Sequence, residues 1–219
     1  MDHQWDQFLA PYVQAVDELK VKLKAMRSHY RMEDGHVPIE FVTGRVKPLI
    51  SIYDKTLEKN VPFQPGLALA SHVPDIAGLR IMCQFVDDVE TVVHVLRARK
   101  DFCVVEERDY VTNKKESGYR SYHMIVEYPV QTLRGEKKIF VEIQIRTLAM
   151  NFWASIEHTL NYKYEGNLPE AIQKRLENAA EAAFRLDEEM SAIRDEINEA
   201  QHYFKTYKEL SNRRPKRKK

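Results

Sequence analysis

Between Lys138 and Arg146 the chain alternates with a period of two. Ile139, Val141, Ile143 and Ile145 fall on one face, and Phe140, Glu142, Gln144 and Arg146 on the other. Successive strand side chains point to opposite faces, so this stretch predicts a β-strand with one apolar side. Its other side brings a carboxylate, an amide and a guanidinium within reach of one bound molecule, although a half-exposed strand meeting water has the same pattern. Further strands are predicted over 79–86, 102–111 and 122–128, the last joined to 138–146 by a hairpin-like connection from Pro129 to Glu136 that contains Gly135.

Helical recurrence marks Phe8, Tyr12, Val16, Leu19, Leu23, Met26 and Tyr30. A second helix is predicted to start at Thr43-Gly44, with Pro48 in its first turn, where a missing N–H costs nothing. Leu49, Ile52, Tyr53, Thr56 and Leu57 form its apolar face, and Lys47, Ser51, Lys55 and Lys59 align at intervals of four. Residues 60–74, with three prolines and a glycine, read as a loop. Helices are predicted over 89–100 and from a Thr147 cap to about Tyr164, ended by Gly166. From Pro169 to Lys208 there is neither Gly nor Pro. Apolar residues there step by three and four from Leu176 through Ala183, Met190 and Ile197 to Tyr207, the seam of packed helices. Such a helix either folds back on itself or packs against another copy, and the second reading is favoured here. The elements together predict an α+β fold. A mixed β-sheet is flanked by helices, with an N-terminal helix and a long C-terminal helical extension.

Composition narrows the class. At 219 residues the chain can bury the core of one or two domains, and a net charge of +1 leaves any steering to local patches. Cys83 and Cys103 have no C-x-x-C spacing, which points to a reduced, cytoplasmic protein without a disulfide framework. The start M-D-H-Q-W-D-Q-F lacks the basic and apolar blocks of a signal peptide, no run of apolar residues is long enough for a membrane span, and the histidines have no metal-ligand spacing. Lys20, Lys24, Arg27 and Arg31 make a basic stripe on the first helix, and Lys47, Ser51, Lys55 and Lys59 a second one near a helix N-terminus that could take a polyphosphate. On spacing alone, a solvated face is the default reading of both. The tail R-R-P-K-R-K-K is expected to be disordered, with nucleic-acid contact as the alternative.

Four motifs change the weighting. F-V-T-G-R-V-K (41–47), D-I-A-G-L-R-I (75–81), E-S-G-Y-R-S-Y-H (116–123) and V-E-I-Q-I-R-T (141–147) occur in the order seen in RelA/SpoT-type alarmone synthetases. The chain resembles the short, stand-alone members, the small alarmone synthetases, over about residues 3–205. The resemblance implies a nucleotidyltransferase-like sheet and transfer of the β,γ-pyrophosphate of ATP to the 3′-hydroxyl of GDP or GTP, giving ppGpp or pppGpp and AMP.

Carried onto matching positions, the resemblance makes Glu142 the base for the ribose 3′-OH and Asp75 a Mg²⁺ ligand, with Glu142 sharing the ion. Lys47, Ser51 and Lys55 would meet the ATP phosphates, and Arg45 and Arg80 would sandwich adenine. Tyr119 would stack guanine, Lys115 would meet acceptor phosphates, and Gln144 and Asn151 would contact the guanosine. His123 is either a further acceptor-site residue or a supporting core one. Where relatives can carry another basic residue after the 47–51–55 ridge, this chain has Glu58 followed by Lys59.

No His-Asp dipeptide of the kind that marks the hydrolase domain of long relatives occurs, so synthesis without hydrolysis is expected. Short relatives are often homotetramers, and one branch binds the product alarmone between subunits. The matching positions are Lys20, Lys24, Arg27, Glu40, Phe41 and Thr43, a candidate allosteric pppGpp site. The expected organisation is a catalytic domain over 1–168, a helical oligomerisation region over 169–208 and a basic tail over 209–219. Two rival readings stay open: an adenylyl transferase on the same architecture, and a nucleotide-sensing or single-stranded-RNA-binding oligomer without turnover.

Overall fold

The alternating stretch lies within β5 (Gly135–Thr147), the middle strand of a five-stranded mixed sheet. The structure is a computed structural model that describes residues 3–33, 36–164 and 168–212. The strand order is β1 (Phe41–Val46), β2 (Ala77–Cys83), β5, β4 (Tyr122–Thr132), β3 (Cys103–Asp109). β2 and β5 run parallel, and the other neighbours are antiparallel. The basic tail 213–219, and Gly166, read as the stop of the preceding helix, fall outside the described residues.

One face of the sheet carries the core. Tyr12, Val16, Leu19 and Leu23 of α1 (His3–Glu33) and Val89, Val92, Val93 and Leu96 of α4 (Val86–Ala98) are buried in one cluster with Leu79, Ile81, Met124, Val126, Val141, Ile143 and Ile145. Because the strand period is two, burying this set turns Arg80, His123, Glu142, Gln144 and Arg146 to the opposite face. α2 (Leu49–Lys59) and α3 (Leu67–His72) bridge β1 and β2, whereas α5 (Leu148–Lys163) and α6 (Glu170–Asn212) follow β5.

Three expectations are corrected. Residues 41–46 form edge strand β1 rather than a helix start, so the sheet has five strands where four were predicted. The helix begins only after Pro48. Residues 67–72, read as loop, form α3. Pro129 lies inside β4, opposite Lys138. β3 pairs with β4 only as far as Glu127, so the missing N–H falls where β4 has become an edge. The hairpin turn is thereby shortened to Leu133-Arg134, between the paired Thr132 and Gly135.

Gly44 explains how α1 seats on this sheet. A Cβ added there would lie 2.9 Å from Leu79 Cδ2 and 3.0 Å from Val16 Cγ1, both in the packed core. Gly44→Ala is therefore expected to destabilise the fold by about 1–3 kcal/mol, the usual cost of overpacking. A lowered urea midpoint with an unchanged slope would show it, whereas an unchanged midpoint would mean that the helix shifts freely.

α6 is one unbroken helix of 43 residues, about 65 Å long at ~1.5 Å per residue, so the fold-back alternative does not occur. Along it Leu186, Met190, Ile193, Ile197, Tyr203 and Phe204 are exposed. The helix is docked by polar contacts on the end of β5 and on α4. The Thr147 hydroxyl donates to Asp187, whose carboxyl burial pushes up to about 6, and Arg194 pairs with Asp87. Among the described residues no helix is long and apolar enough to cross a membrane.

Candidate active site

The polar face of the sheet opens into two neighbouring cavities. The first, of about 230 Å³, is lined by Arg45, Lys47, Asp75, Arg80, Glu142 and Gln144, among others. The second, of about 510 Å³, has Arg45, Arg80 and Gln144 in its wall as well, and adds Lys115, Tyr119 and Arg146. Ala154, Ser155, Glu157 and His158 of α5 complete it. Two spaces that share a wall of two guanidinium groups and an amide can hold two ligands side by side.

The first cavity is organised around Asp75, in the turn before β2. The Lys47 N–H donates to the Ile76 carbonyl (2.8 Å), which extends the β1–β2 pairing and keeps the two side chains adjacent. Lys47 Nζ donates to Asp75 Oδ2, and Lys55 Nζ, from α2, lies 3.1 Å from the same oxygen. Burial pushes the Asp75 carboxyl up, but the two ammonium groups outweigh it and hold the acid below its ordinary value. Asp75 Oδ1 is buried and has no hydrogen-bond partner. A buried carboxylate oxygen without a donor fits a hard cation, and Glu142 lines the same cavity. Among the described residues no three His, Cys, Asp or Glu side chains converge, so a metal held here would draw its remaining ligands from substrate oxygens and water.

Glu142, on β5 opposite Gly78 of β2 and Ile125 of β4, ends a directed chain of hydrogen bonds. An Arg146 N–H donates to the Tyr119 hydroxyl oxygen (2.5 Å), Tyr119 O–H meets His123 Nε2 (2.8 Å), and His123 Nδ1 meets Glu142 Oε1 (3.0 Å). An ionised carboxylate only accepts, so Nδ1 carries the proton and Nε2 accepts from the tyrosine. Gln144 Nε2 donates to the other carboxylate oxygen (2.8 Å), while its own Oε1 accepts from Arg146 (2.8 Å) and Arg80 (3.3 Å). Burial raises the Glu142 carboxyl, yet the His123 and Gln144 bonds prevail and keep it below the usual range. Arg80 is held below its ordinary value by burial and by the nearby guanidinium groups of Arg146 and Arg45, a crowding of like charge that an anionic ligand would relieve.

The loop from Tyr110 to Ser121 carries Lys115 and Tyr119. Lys115 Nζ sits 4.9 Å from the Tyr110 ring centroid and 5.1 Å from that of Tyr119. Arg146, to which the alternating pattern gave a place but no role, is buried, with its guanidinium 5.1 Å from the Tyr119 ring. Not every expected residue converges. Ser51, one turn before Lys55 on α2, lines neither cavity, and neither does Asn151, whose Oδ1 is buried without a partner in the first turn of α5. Ser155 and His158, one and two turns further along α5, take the wall position expected of Asn151.

The second group of expected residues lies at the β1 edge. Arg27 of α1 donates to the Ile39 carbonyl (2.9 Å) and stands 4.0 Å from Glu40, which also accepts from Gln84 (2.8 Å). Phe41 and Thr43 are exposed beside it, whereas Lys20 pairs with Asp17 along its own helix (3.6 Å). Lys24 lies one turn from both Lys20 and Arg27.

Comparison with known proteins agrees with this geometry. Residues 44–167 match the family model described as the region found in RelA / SpoT proteins. The chain is 61% identical over 210 residues to the GTP pyrophosphokinase YjbM of Bacillus subtilis, covering 96% of this chain and 98% of that protein. It superposes with a TM-score of 0.85 and 62% identity on the crystal structure of small alarmone synthetase 1 from Bacillus subtilis bound to its product pppGpp, covering 90% of this chain and 100% of that one. The AMPCPP-bound structure of that synthetase matches with a TM-score of 0.78 and 58% identity, covering 90% and 100%. With near-complete coverage at this identity, and with the four motifs gathered on one sheet face, the chain belongs to the RelA/SpoT family.

Proposed function

We propose that the chain is a GTP pyrophosphokinase that transfers the β,γ-pyrophosphate of ATP to the 3′-hydroxyl of GDP or GTP, without a hydrolase activity. The observation that carries this reading is the pair of cavities sharing Arg45, Arg80 and Gln144, with Glu142 bonded to that shared amide. ATP occupies the first cavity, its adenine between the planar guanidinium groups of Arg45 and Arg80 and its phosphates against Lys47 and Lys55, with Ser51 available at the start of α2. The guanosine nucleotide occupies the second. Its base takes the place over the Tyr119 ring that Lys115 holds here, which frees the ammonium group for the acceptor phosphates. Gln144 contacts the sugar, and Asn151, with an unsatisfied oxygen at the head of α5, is the nearby candidate for the guanosine edge.

Glu142 takes the proton from the 3′-hydroxyl as its oxygen bonds to the β-phosphorus of ATP, and the bond from that phosphorus to the α–β bridging oxygen breaks to release AMP. His123 and Gln144 hold the carboxylate in place, so His123 acts as a positioning residue. Asp75 and Glu142 are the groups that would hold Mg²⁺, which when bound supplies charge neutralisation at the transferred phosphates. Lys47 and Lys55 meet the charge developing on the leaving oxygens.

We assign residues 1–168 to the catalytic domain of a cytoplasmic enzyme. The exposed apolar row on α6 within 169–208 fits a homotetramer contact, and the cationic edge of Lys20, Lys24 and Arg27 with Glu40, Phe41 and Thr43 fits an effector nucleotide such as pppGpp. ATP labelled in the γ-phosphate tests the reaction itself. The label is expected on the guanosine nucleotide with one AMP released per transfer. Label appearing as free pyrophosphate would mean adenylyl transfer instead, and binding without AMP release would leave a sensor.

A further inference from the structure

α6 does more than extend away from the sheet: three positions on one face of its first half, Ala180, Glu181 and Phe184, touch the loop that carries Lys115 and Tyr119. Glu181 receives Lys114 Nζ at 2.5 Å and lies 3.5 Å from an Arg120 guanidinium nitrogen. The Arg120 guanidinium carbon sits 3.8 Å from the centroid of the Phe184 ring, and the same group donates to the Val111 carbonyl (2.5 Å). Gly118, in the left-handed region at φ +88°, presses so close to the helix that a Cβ would meet Ala180 Cβ at 2.6 Å. The far side of the loop closes on itself, with Lys115 N–H donating to the Tyr119 carbonyl (3.1 Å) and Gly118 N–H to that of Lys115 (2.8 Å). The loop therefore rests on helix residues 180–184 through Lys114, Gly118 and Arg120. Its position is tied in turn to β5 and α4, because the same helix is anchored further along by Asp187 on Thr147 and Arg194 on Asp87.

We infer that Phe184 and Glu181 are positioning residues for the acceptor nucleotide, holding Arg120 and Lys114 so that Tyr119 and Lys115 stand ready over the guanosine cavity. Neither residue lines either cavity, and both act through the loop. The inference rests on the assignment of the second cavity to the guanosine nucleotide. Its consequence is selective: the ATP cavity is lined by β1, β2, β5 and the segments that carry Lys47 and Asp75, none of which these two residues touch, so donor binding is insulated from Phe184 and Glu181.

The test uses the full chain and two changes at one position. Phe184→Leu keeps apolar bulk but removes the π face, and Phe184→Tyr keeps the face. Phe184→Leu is expected to raise KM for GDP about threefold to tenfold, the range of a partly desolvated cation–π contact, with KM for ATP within about twofold of wild type. Phe184→Tyr is expected to restore the wild-type KM, which a purely packing role would not require. Glu181→Gln gives the same split by freeing Lys114 and Arg120, and serves alone if Phe184→Leu does not fold. Unchanged KM for GDP in both Phe184→Leu and Glu181→Gln, or parallel increases for GDP and ATP, overturns the inference. Calorimetric GDP and ATP affinities read the same split without turnover. A wild-type protein that binds both nucleotides yet transfers no pyrophosphate would thus sink the proposed reaction while leaving this test intact.

Discussion

Glu142→Gln is expected to lower kcat by about 10²–10⁴-fold, the usual worth of a general base, while the KM values for ATP and GDP stay within a few-fold. The side chains are nearly isosteric, and the surroundings can adapt to an amide. A glutamine oxygen still accepts from Gln144, and its NH₂ can donate to His123 Nδ1 if the imidazole proton moves to Nε2, which then donates to the Tyr119 oxygen. Nucleotide binding therefore survives, and the loss is one of proton acceptance. A Mg²⁺ titration of the variant separates the two duties proposed for this carboxylate. If base duty dominates, the Mg²⁺ concentration for half-maximal rate stays near that of wild type. If metal duty dominates, it rises. A variant with wild-type kcat and a raised KM would remove Glu142 from the chemistry and leave it a binding residue.

What the sequence revealed, and what it hid, follows from the range of the interactions. The β5 alternation is a local pattern, so Glu142 and Gln144 could be placed on one polar face from spacing alone, and burial of Ile139, Val141, Ile143 and Ile145 agrees. The segment before Pro48 reads as a helix start because Gly44 and Pro48 carry that chemistry. The reason for that glycine lies in Val16 and Leu79, neither a sequence neighbour, where the space it leaves is filled by the core. Pro129 reads as part of a turn because nothing local shows that β3 ends earlier than its partner. Asp75 sits in a turn with no periodicity, and its pairing with Lys47, 28 residues away, becomes visible only when β1 and β2 are side by side. The role proposed for it, like those proposed for Lys115 and Tyr119, rests on family resemblance rather than residue chemistry. The brace from α6 was legible by neither route, because an amphipathic helix reads the same whether its partner is a loop or another copy.

Asp75→Asn is the second severe change expected, and it should act on metal dependence and on stability in opposite relation to substrate. The carboxylate offers Oδ2 to Lys47 and Lys55 and keeps Oδ1 unpaired inside the cavity. Replacing it removes the proposed ligand to Mg²⁺, and turnover at fixed Mg²⁺ is expected to fall about 10²–10³-fold, as several kcal/mol of phosphate charge stabilisation is lost. Raised Mg²⁺ should recover part of that rate, unlike the Glu142 change if base duty dominates there. The substitution also takes from two facing ammonium groups the carboxylate they share, so the protein without nucleotide should lose about 1–3 kcal/mol of stability. ATP phosphates would supply the missing negative charge, so the rise in Tm on adding ATP should be larger for the variant than for wild type. A variant that is equally stable with and without ATP, or whose lost rate is indifferent to Mg²⁺, would show that Asp75 serves neither the metal nor the lysine pair and would move the phosphate site elsewhere.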